Sequence, residues 1–276
     1  MIRLTQDELI ELIAFVKVNY GIDLSGRKTF VEMRLQKLMQ ESRFDNFSDY
    51  FAYVCSDTTG MIVSNFISNL TISYTLFYRE SLHFEFLIDQ VLPELVKKER
   101  KNKDLRIWSA GCATGEEAYT IAMVLSDFLD KEKPLWDTKV LATDISAVAL
   151  GKAVTGTYPI ESIQELKPHW ISDYFVPDPE DNAMVRVAPT IKDEVIFRRL
   201  NLVAKPFQFK SKFHFIFCRN VMIYFDDATK NKLLNWFYDV LEDGGYLFIG
   251  MSETIEKNAT KFQYIKPSIY RKEGKR

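Results

Sequence analysis

The stretch R-I-W-S-A-G-C-A-T-G-E-E-A-Y, residues 106–119, joins a predicted strand, a turn and a helix. Residues 105–110 predict a short buried strand, and residues 116–129 have the apolar spacing of a helix. Gly111 and Gly115 lie between them, where the backbone must turn sharply and approach a ligand closely. This order is typical of α/β domains, in which the turn lies at the carboxyl end of a parallel sheet. Gly111 is therefore a candidate ligand contact.

The acids that follow this turn restrict the kind of ligand it would bind. Dinucleotide-binding turns read G-x-G-x-x-G and hold a pyrophosphate at the helix N-terminus. Here the small residues are Gly111, Ala113 and Gly115. Glu116 and Glu117 follow at once; they would repel a pyrophosphate but suit an ammonium group, such as that of S-adenosylmethionine. A purely structural turn, with acids complementing the helix dipole, explains the pattern equally well at this point.

Asp144 ends the next predicted strand, residues 139–145, within the sequence A-T-D-I. A carboxylate at a strand end can accept hydrogen bonds from both hydroxyls of a ribose. The alternative is an N-cap for the helix predicted from Ala147, which is the commoner role for an isolated aspartate. Together with the acidic turn one strand earlier, Asp144 favours an adenosine compound without phosphates.

The α/β pattern continues to the C-terminal end of the sequence. Strands are predicted over residues 195–202, 213–218 and 246–250, with a helix over residues 226–241 that Gly244 and Gly245 end. Strands alternating with helices indicate a parallel sheet with right-handed crossovers. Residues 174–187 contain two prolines and two β-like runs that break the alternation. They predict a small antiparallel β insertion, about residues 172–200 with its flanks.

The first hundred residues predict helices instead. Thr5 and Glu8 have the spacing of a capping box, and the helix that they begin breaks at Gly21. Further helices are predicted over residues 27–40, 47–54, 61–70 and 81–98. The sequence therefore divides into a helical domain, residues 1–75, and an α/β domain, residues 76–276.

Composition argues against several classes of protein. The 276 residues include 36 basic and 38 acidic ones, a formal net charge of −2, which gives no basic field to hold nucleic acid. Three cysteines and three histidines are scattered without metal-ligand spacing, so we expect no metal site and a reducing cytoplasm. Residues 1–20 lack the apolar segment of a signal peptide, and no long apolar run predicts a membrane span. We expect a cytoplasmic protein that does not insert into a membrane.

Several stretches resemble the chemotaxis receptor methyltransferases, the CheR family. They are L-T-I-S-Y-T-L-F-Y-R-E (70–80), W-S-A-G-C-A-T-G-E-E-A-Y (108–119), A-T-D-I (142–145), N-L (201–202), F-I-F-C-R-N-V-M-I-Y-F (215–225) and G-G-Y-L-F-I-G-M-S-E (244–253). They occur in the family's order over nearly the whole chain, and C-R-N-V-x-I-Y-F after a strand is highly specific. The resemblance implies an all-helical N-terminal domain, then a doubly wound, mostly parallel S-adenosylmethionine-binding domain with a small antiparallel insertion.

The resemblance also implies contacts with S-adenosyl-L-methionine and its product, S-adenosyl-L-homocysteine. Arg79 is expected beside the sulfur, Glu117 beside the ammonium group and Asp144 beside the ribose. Asn201 and Leu202 are expected to flank the adenine. The complete set that the resemblance gives is Ser73, Thr75, Arg79, Glu117, Asp144, Asn201, Leu202, Arg219 and Asn220.

Arg79 and Tyr224 are the candidate catalytic residues, with Tyr224 expected near the transferred methyl group. Each of these positions has a common alternative role. Arg79 could be an ion-pair partner of Glu80 or Glu85, Tyr224 a packing aromatic and Asn220 a helix cap. Each alternative role is common by itself. The joint occurrence of these residues in this order is not common.

The implied activity is methyl transfer to glutamate side chains of methyl-accepting chemotaxis receptors, with the receptor cytoplasmic domain as partner. The chain departs from the family pattern at Ser73, where asparagine is usual, and at Met251, where histidine is frequent. Neither departure removes a charge that this chemistry needs.

A catalytically silent S-adenosylmethionine-binding or receptor-docking module is the main alternative. Methylation of RNA or of a small molecule is a third.

Two further expectations concern the receptor. Arg27, Arg34 and Lys37 fall within about 80° of one another on a helix and could steer a glutamate-rich receptor helix, although a solvated face is as good an alternative. Some family members capture a receptor tail peptide on the β insertion. Here the corresponding loop, V-P-D-P-E-D-N-A-M (176–184), carries two prolines and three acids. We therefore expect no C-terminal peptide tether.

Overall fold

Eleven α-helices and ten strands occur in the part of the chain that the computed structural model describes, residues 4–42, 44–71, 74–204, 208–256 and 260–274. The helices are α1 (Gln6–Tyr20), α2 (Lys28–Glu41), α3 (Phe47–Cys55), α4 (Met61–Leu70), α5 (Ser81–Phe86), α6 (Leu92–Lys98), α7 (Glu116–Leu129), α8 (Ala147–Thr155), α9 (Pro168–Tyr174), α10 (Pro189–Lys192) and α11 (Asp227–Val240). The strands are β1 (Ile107–Ala110), β2 (Val140–Asp144), β3 (Thr157–Pro159), β4 (Phe175–Pro177), β5 (Met184–Val187), β6 (Val195–Arg199), β7 (Phe213–Cys218), β8 (Leu241–Ile249), β9 (Gln263–Lys266) and β10 (Ile269–Arg271). A π-helical turn, Leu87–Val91, joins α5 to α6, so the helix predicted over residues 81–98 is continuous. Within the described ranges, no helix is both long enough and apolar enough to cross a membrane.

The main sheet has the strand order β6-β2-β1-β7-β8-β10-β9 in the described residues. The strands from β6 to β8 are parallel, whereas β10 is antiparallel to both of its neighbours. Ile107 and Phe215 face an apolar layer that includes α5, α6 and α7, and Trp108 and Ile216 face a layer formed by α11 and the N-terminal helices. The expected fold, a helical domain followed by a doubly wound, mostly parallel sheet with a small antiparallel sheet, is confirmed.

The small antiparallel sheet has different limits from those predicted. Its strand order is β3-β5-β4, so it begins at Thr157 and ends at Val187. Residues 195–199 form β6, which belongs to the main sheet and pairs with β2. The predicted insertion, about residues 172–200, therefore begins too late and ends too late. A strand as short as β3, which directly follows Gly156 at the end of α8, has no periodic pattern that a sequence could reveal.

Gly244 and Gly245 lie inside β8 and do not end the preceding helix as predicted. The helix α11 ends at Val240, and β8 begins at once with a shifted register against β7. Gly244 has φ +82°, and a Cβ on Gly245 would lie 2.9 Å from the carbonyl oxygens of Glu242 and His214. Gly244 therefore allows the positive φ, and Gly245 allows the close backbone approach, at an irregularity in the strand.

The helical domain packs against the sheet domain through polar bonds as well as apolar contacts. The Ser64 hydroxyl in α4 donates to the Ile145 carbonyl at 2.7 Å and accepts from the Ala147 amide at 2.8 Å. Ile22, after α1, forms an antiparallel bridge with Phe225. These contacts hold the helical domain beside the carboxyl ends of the parallel strands.

Candidate active site

A cavity of about 380 Å³ lies at the carboxyl ends of β1, β2 and β7. Both domains line it, because Tyr20 and Ile22 of the helical domain face the loops that follow the strands. Ser73 lies outside the described residues. The other residues predicted to contact the ligand or to act in catalysis all line this cavity: Thr75, Arg79, Gly111, Glu117, Asp144, Asn201, Leu202, Arg219, Asn220 and Tyr224. Their contacts with a ligand stay a prediction.

The turn after β1 brings backbone to the cavity wall. Gly111 and Gly115 have φ values of +90° and +101°, and Ala113 has +47°. A Cβ on Gly111 would lie 2.3 Å from Cγ2 of Val221, so the turn can pack against the loop after β7 only with glycine there. Because Gly111 has no side chain, the turn after β1 and the loop after β7 can lie in direct contact at the cavity wall.

Asp144 is partly buried, and each of its carboxylate oxygens accepts one backbone amide. Ala113 donates to Oδ2 at 2.8 Å and Ser146 donates to Oδ1 at 2.8 Å. Burial raises the pKa of this carboxyl, and these amide bonds oppose the shift. The N-cap of α8 is Ser146, whose hydroxyl accepts from Ala149, so the alternative role proposed for Asp144 is filled by another residue. Each Asp144 oxygen retains a lone pair that a ligand hydroxyl could use.

Of the two acids that follow the turn, Glu117 lines the cavity. The Ser109 hydroxyl donates to its Oε1 at 2.7 Å, and Nη1 of Arg219 lies 3.5 Å from its Oε2. Burial raises the pKa of Glu117, while the Arg219 charge opposes the shift. Glu116 instead accepts from the Thr114 hydroxyl at 2.7 Å. The site therefore offers one buried carboxylate, held beside a guanidinium, to a positively charged ligand group.

Arg79 and Arg219 reach the cavity from different loops. Arg79 donates from Nη1 to the Tyr74 carbonyl at 2.8 Å, and its Nε lies 4.0 Å from Oε1 of Glu80. Arg79 therefore lines the cavity and also has the ion pair that was considered as its alternative role. Arg219 is buried and donates from Nε to Oε2 of Glu80 at 3.3 Å. Its Nη2 donates to the Arg79 carbonyl, which joins the two arginine loops.

The loop after β7 is held by Glu253, a buried carboxylate that was not among the predicted site residues. Its oxygens accept the amides of Asn220 (2.9 Å), Gly250 (2.6 Å) and Ile223 (3.1 Å). Burial raises the pKa of Glu253 and the amide bonds oppose the shift. Asn220 has φ +59° and is not the cap of α11, since Asp226 has that role. The only sequence signal for Glu253 was its position inside the matched stretch 244–253.

Asn201 and Leu202 form a wall of the cavity at the end of β6. The Asn201 amide is engaged at both ends: Nδ2 donates to the Asn19 carbonyl at 2.9 Å, and Oδ1 accepts from Val203 at 3.0 Å. Leu202 and Leu200 make this wall largely apolar. An apolar wall in a cavity that also holds carboxylates suits a flat aromatic base attached to a sugar.

Tyr224 links the cavity to the predicted docking stripe. It lies in a 3₁₀ turn, Met222–Tyr224, and its carbonyl accepts from the Asp23 amide at 2.8 Å. The guanidinium carbon of Arg27 lies 5.8 Å from the Tyr224 ring centroid. Arg34 packs over Phe30 instead, 5.2 Å from its ring centroid.

Lys37 is 66% exposed and lies 3.9 Å from Glu41. Of the three residues predicted to dock the receptor, Arg27 is the one for which a contact with the cavity lining is seen within the described ranges. Among the residues that the structure describes, no group of three or more His, Cys, Asp or Glu side chains could hold a metal ion.

Relatives of known family are similar to this sequence over most of its length. A "Chemotaxis protein methyltransferase" of Borreliella burgdorferi is 41% identical over 274 residues, 98% of this chain and 96% of that protein. A "Probable chemotaxis protein methyltransferase" of Rhizobium etli is 36% identical over 87% of this chain and 89% of that protein. A "Chemotaxis protein methyltransferase" of Escherichia coli is 35% identical over 91% of this chain and 85% of that protein.

Two family descriptions cover the two domains. Residues 7–71 match "CheR methyltransferase, all-alpha domain", and residues 73–271 match "CheR methyltransferase, SAM binding domain". Most residues that line the cavity lie in the second region, whereas Tyr20, Ile22 and Thr71 lie in the first. The chain belongs to the CheR methyltransferase family, and its α/β domain is an S-adenosylmethionine-binding methyltransferase domain.

Proposed function

We propose that this protein transfers methyl groups from S-adenosylmethionine to glutamate side chains of chemotaxis receptors, in the cytoplasm. The observation that carries the proposal is one cavity that holds the carboxylates of Asp144 and Glu117 together with Arg79 and Tyr224. Carboxylates at these places suit a ribose and an ammonium group, and they oppose phosphates. The names of the relatives, all chemotaxis protein methyltransferases, support the receptor as substrate.

The chemistry requires orientation rather than proton transfer. S-adenosylmethionine supplies a methyl group on a positively charged sulfur, and a glutamate carboxylate, with a reference pKa of about 4.3, is ionised at pH 7. No general base is needed, and within the described residues no histidine lines the cavity. Correct alignment of the reacting groups alone can supply ~7–11 kcal/mol.

Arg79 and Tyr224 are the groups that we assign to this alignment. A strong salt bridge to the receptor carboxylate would stabilise its ground state and slow the transfer. We therefore assign Tyr224 to contact the receptor glutamate, and Arg79 to hold the methyl donor. A catalytically silent binding module would not need both residues at the cavity, and the formal net charge of −2 opposes RNA as a substrate.

Methyl transfer is tested with labelled S-adenosylmethionine and a purified receptor cytoplasmic domain. We expect label in the receptor that is released by mild base, because carboxylate esters hydrolyse in base whereas N-methyl groups do not. Tyr224→Phe should lower the rate of labelling while S-adenosylmethionine still binds. Binding of S-adenosylmethionine without any labelling of the receptor would favour the silent module.

Asp144→Ala should weaken binding of both S-adenosylmethionine and S-adenosylhomocysteine by roughly 1.5–3 kcal/mol, because the carboxylate that we expect to accept both ribose hydroxyls is lost. Isothermal titration calorimetry measures this change. Asp137→Ala is the matched control, since Asp137 is exposed and lies just before the N-terminal end of β2, away from the cavity. Unchanged affinity in the Asp144 variant would remove this residue from the site.

Reversing Arg34 and Lys37 to glutamate should raise KM for the receptor on the order of tenfold at low ionic strength, and less at high salt. The physical reason is the loss of attraction between the basic stripe and a glutamate-rich helix. The double reversal of Arg100 and Lys101, exposed residues that precede β1, changes the net charge equally and is the control. Equal receptor kinetics in the two variants would mean that the stripe is only solvated surface.

Peptides from receptor C-terminal ends should not bind to the small antiparallel sheet. Its edge strands β3 and β4 contain Pro159 and Pro177, which lack an amide donor for an added strand. Asp178 is engaged by Arg186, whereas the exposed Glu180 and Asp181 would repel an acidic peptide. Titration of isolated tail peptides measures this. Micromolar affinity, with competition against receptor methylation, would contradict the expectation.

A further inference from the structure

Glu80 joins three loops at the edge of the cavity although it was not among the predicted site residues. Its Oε2 accepts Nε of Arg219 at 3.3 Å and the amide of Met251 at 3.1 Å. Nη2 of Arg219 lies 3.2 Å from the same oxygen, and Nε of Arg79 lies 4.0 Å from Oε1. One carboxylate thus connects the segment before α5 with the loops after β7 and β8.

The backbone at Glu80 is held in an uncommon conformation. Glu80 has φ +58° and ψ +58°, in the left-handed region, and Tyr78 two residues earlier has φ +55°. Residues other than glycine keep such angles only where surrounding contacts determine them, and these positions concentrate at functional sites. The bonds from Arg219 and Met251 are contacts of this kind.

The charges around Glu80 balance in pairs. Arg79 and Arg219 are cations, Glu80 and Glu117 are anions, and Arg219 lies between the two carboxylates at 3.2 Å and 3.5 Å. The Arg219 side chain is 2% exposed and that of Glu80 is 15% exposed, so water screens these charges little.

The neighbouring histidine adds no charge to this balance. His83 is buried, and its Nδ1 lies 3.5 Å from Oε2 of Glu80. Burial and, to a smaller extent, the Arg219 charge lower the pKa of His83 to about 4, and Glu80 opposes this shift. His83 is therefore neutral at pH 7, and the cation that Glu80 offsets is Arg219.

We propose that Glu80 is a positioning residue that neutralises Arg219 beside the methyl donor and thereby lets the site accept a positively charged sulfonium. This inference rests on the proposed placement of the methionyl part near Arg79. S-adenosylmethionine carries one more positive charge than S-adenosylhomocysteine, so an uncompensated Arg219 disfavours the first ligand relative to the second. Glu80 accordingly sets the ratio of the two affinities.

Calorimetry with S-adenosylmethionine and S-adenosylhomocysteine tests this proposal without any receptor. Glu80→Gln keeps an oxygen for the Met251 amide and removes only the charge. We expect it to raise the ratio of Kd for S-adenosylmethionine to Kd for S-adenosylhomocysteine roughly tenfold. Glu80→Asp, which retains the charge, should keep the ratio near that of the wild type. Glu85→Gln on the exposed face of α5 is the matched control.

A compensating variant keeps the test sound if Glu80→Gln alone does not fold. Removing both members of a buried pair costs less stability than removing one. Glu80→Gln combined with Arg219→Gln should restore the wild-type ratio, and Arg219→Gln alone should lower it. A ratio that is the same in all these variants overturns the role of Glu80. Absence of S-adenosylmethionine binding to the wild type would instead contradict the proposed function.

Discussion

Carboxylates at the carboxyl edge of the sheet accept hydrogen bonds from backbone amides, and the shape of the cavity depends on these bonds. Asp144 holds the turn after β1 through Ala113, and Glu253 holds the loop after β7 through Asn220 and Ile223. A loop leaving a parallel strand has amides that the sheet does not satisfy, and burying them unpaired would be costly. Since each carboxylate accepts two or three amides, these bonds fix the positions of the loops around the cavity.

The same carboxylates determine the electrostatic character of the site. Burial works against the ionised form of Asp144, Glu117 and Glu253, and amide, hydroxyl or guanidinium donors offset that cost. The result is a pocket of mixed charge in which anions are fixed and cations are paired. Such a pocket suits a ligand with several positive and polar groups, and it is unsuited to a pyrophosphate.

Local patterns in the sequence predicted the elements that have their own periodicity. Residues 61–70 form α4, residues 116–129 form α7 and residues 213–218 form β7, with the predicted ends. The strands β9 and β10, and the early start of the small sheet, were not predicted, because short strands are specified by pairing with distant segments rather than by their own spacing.

The roles of Glu80 and Glu253 depend on partners in other loops, which spacing along the chain does not reveal. The gathering of the candidate residues at one cavity was predictable because motifs at the ends of neighbouring parallel strands meet at one edge.

The contact of Arg27 with Tyr224 has a thermodynamic consequence. Arg27 stands at the start of α2 in the helical domain, while Tyr224 lines the cavity, so one cation–π pair spans the two domains. A partner that draws Arg27 away from the ring removes this contact from the tyrosine, and a ligand that holds the tyrosine in place favours the arginine that packs on it. Such linkage is reciprocal, so occupancy at one place changes affinity at the other by the same factor. An exposed pair of this type is worth about 0.5–1 kcal/mol, which limits the cooperativity that it can transmit to about two- to fivefold.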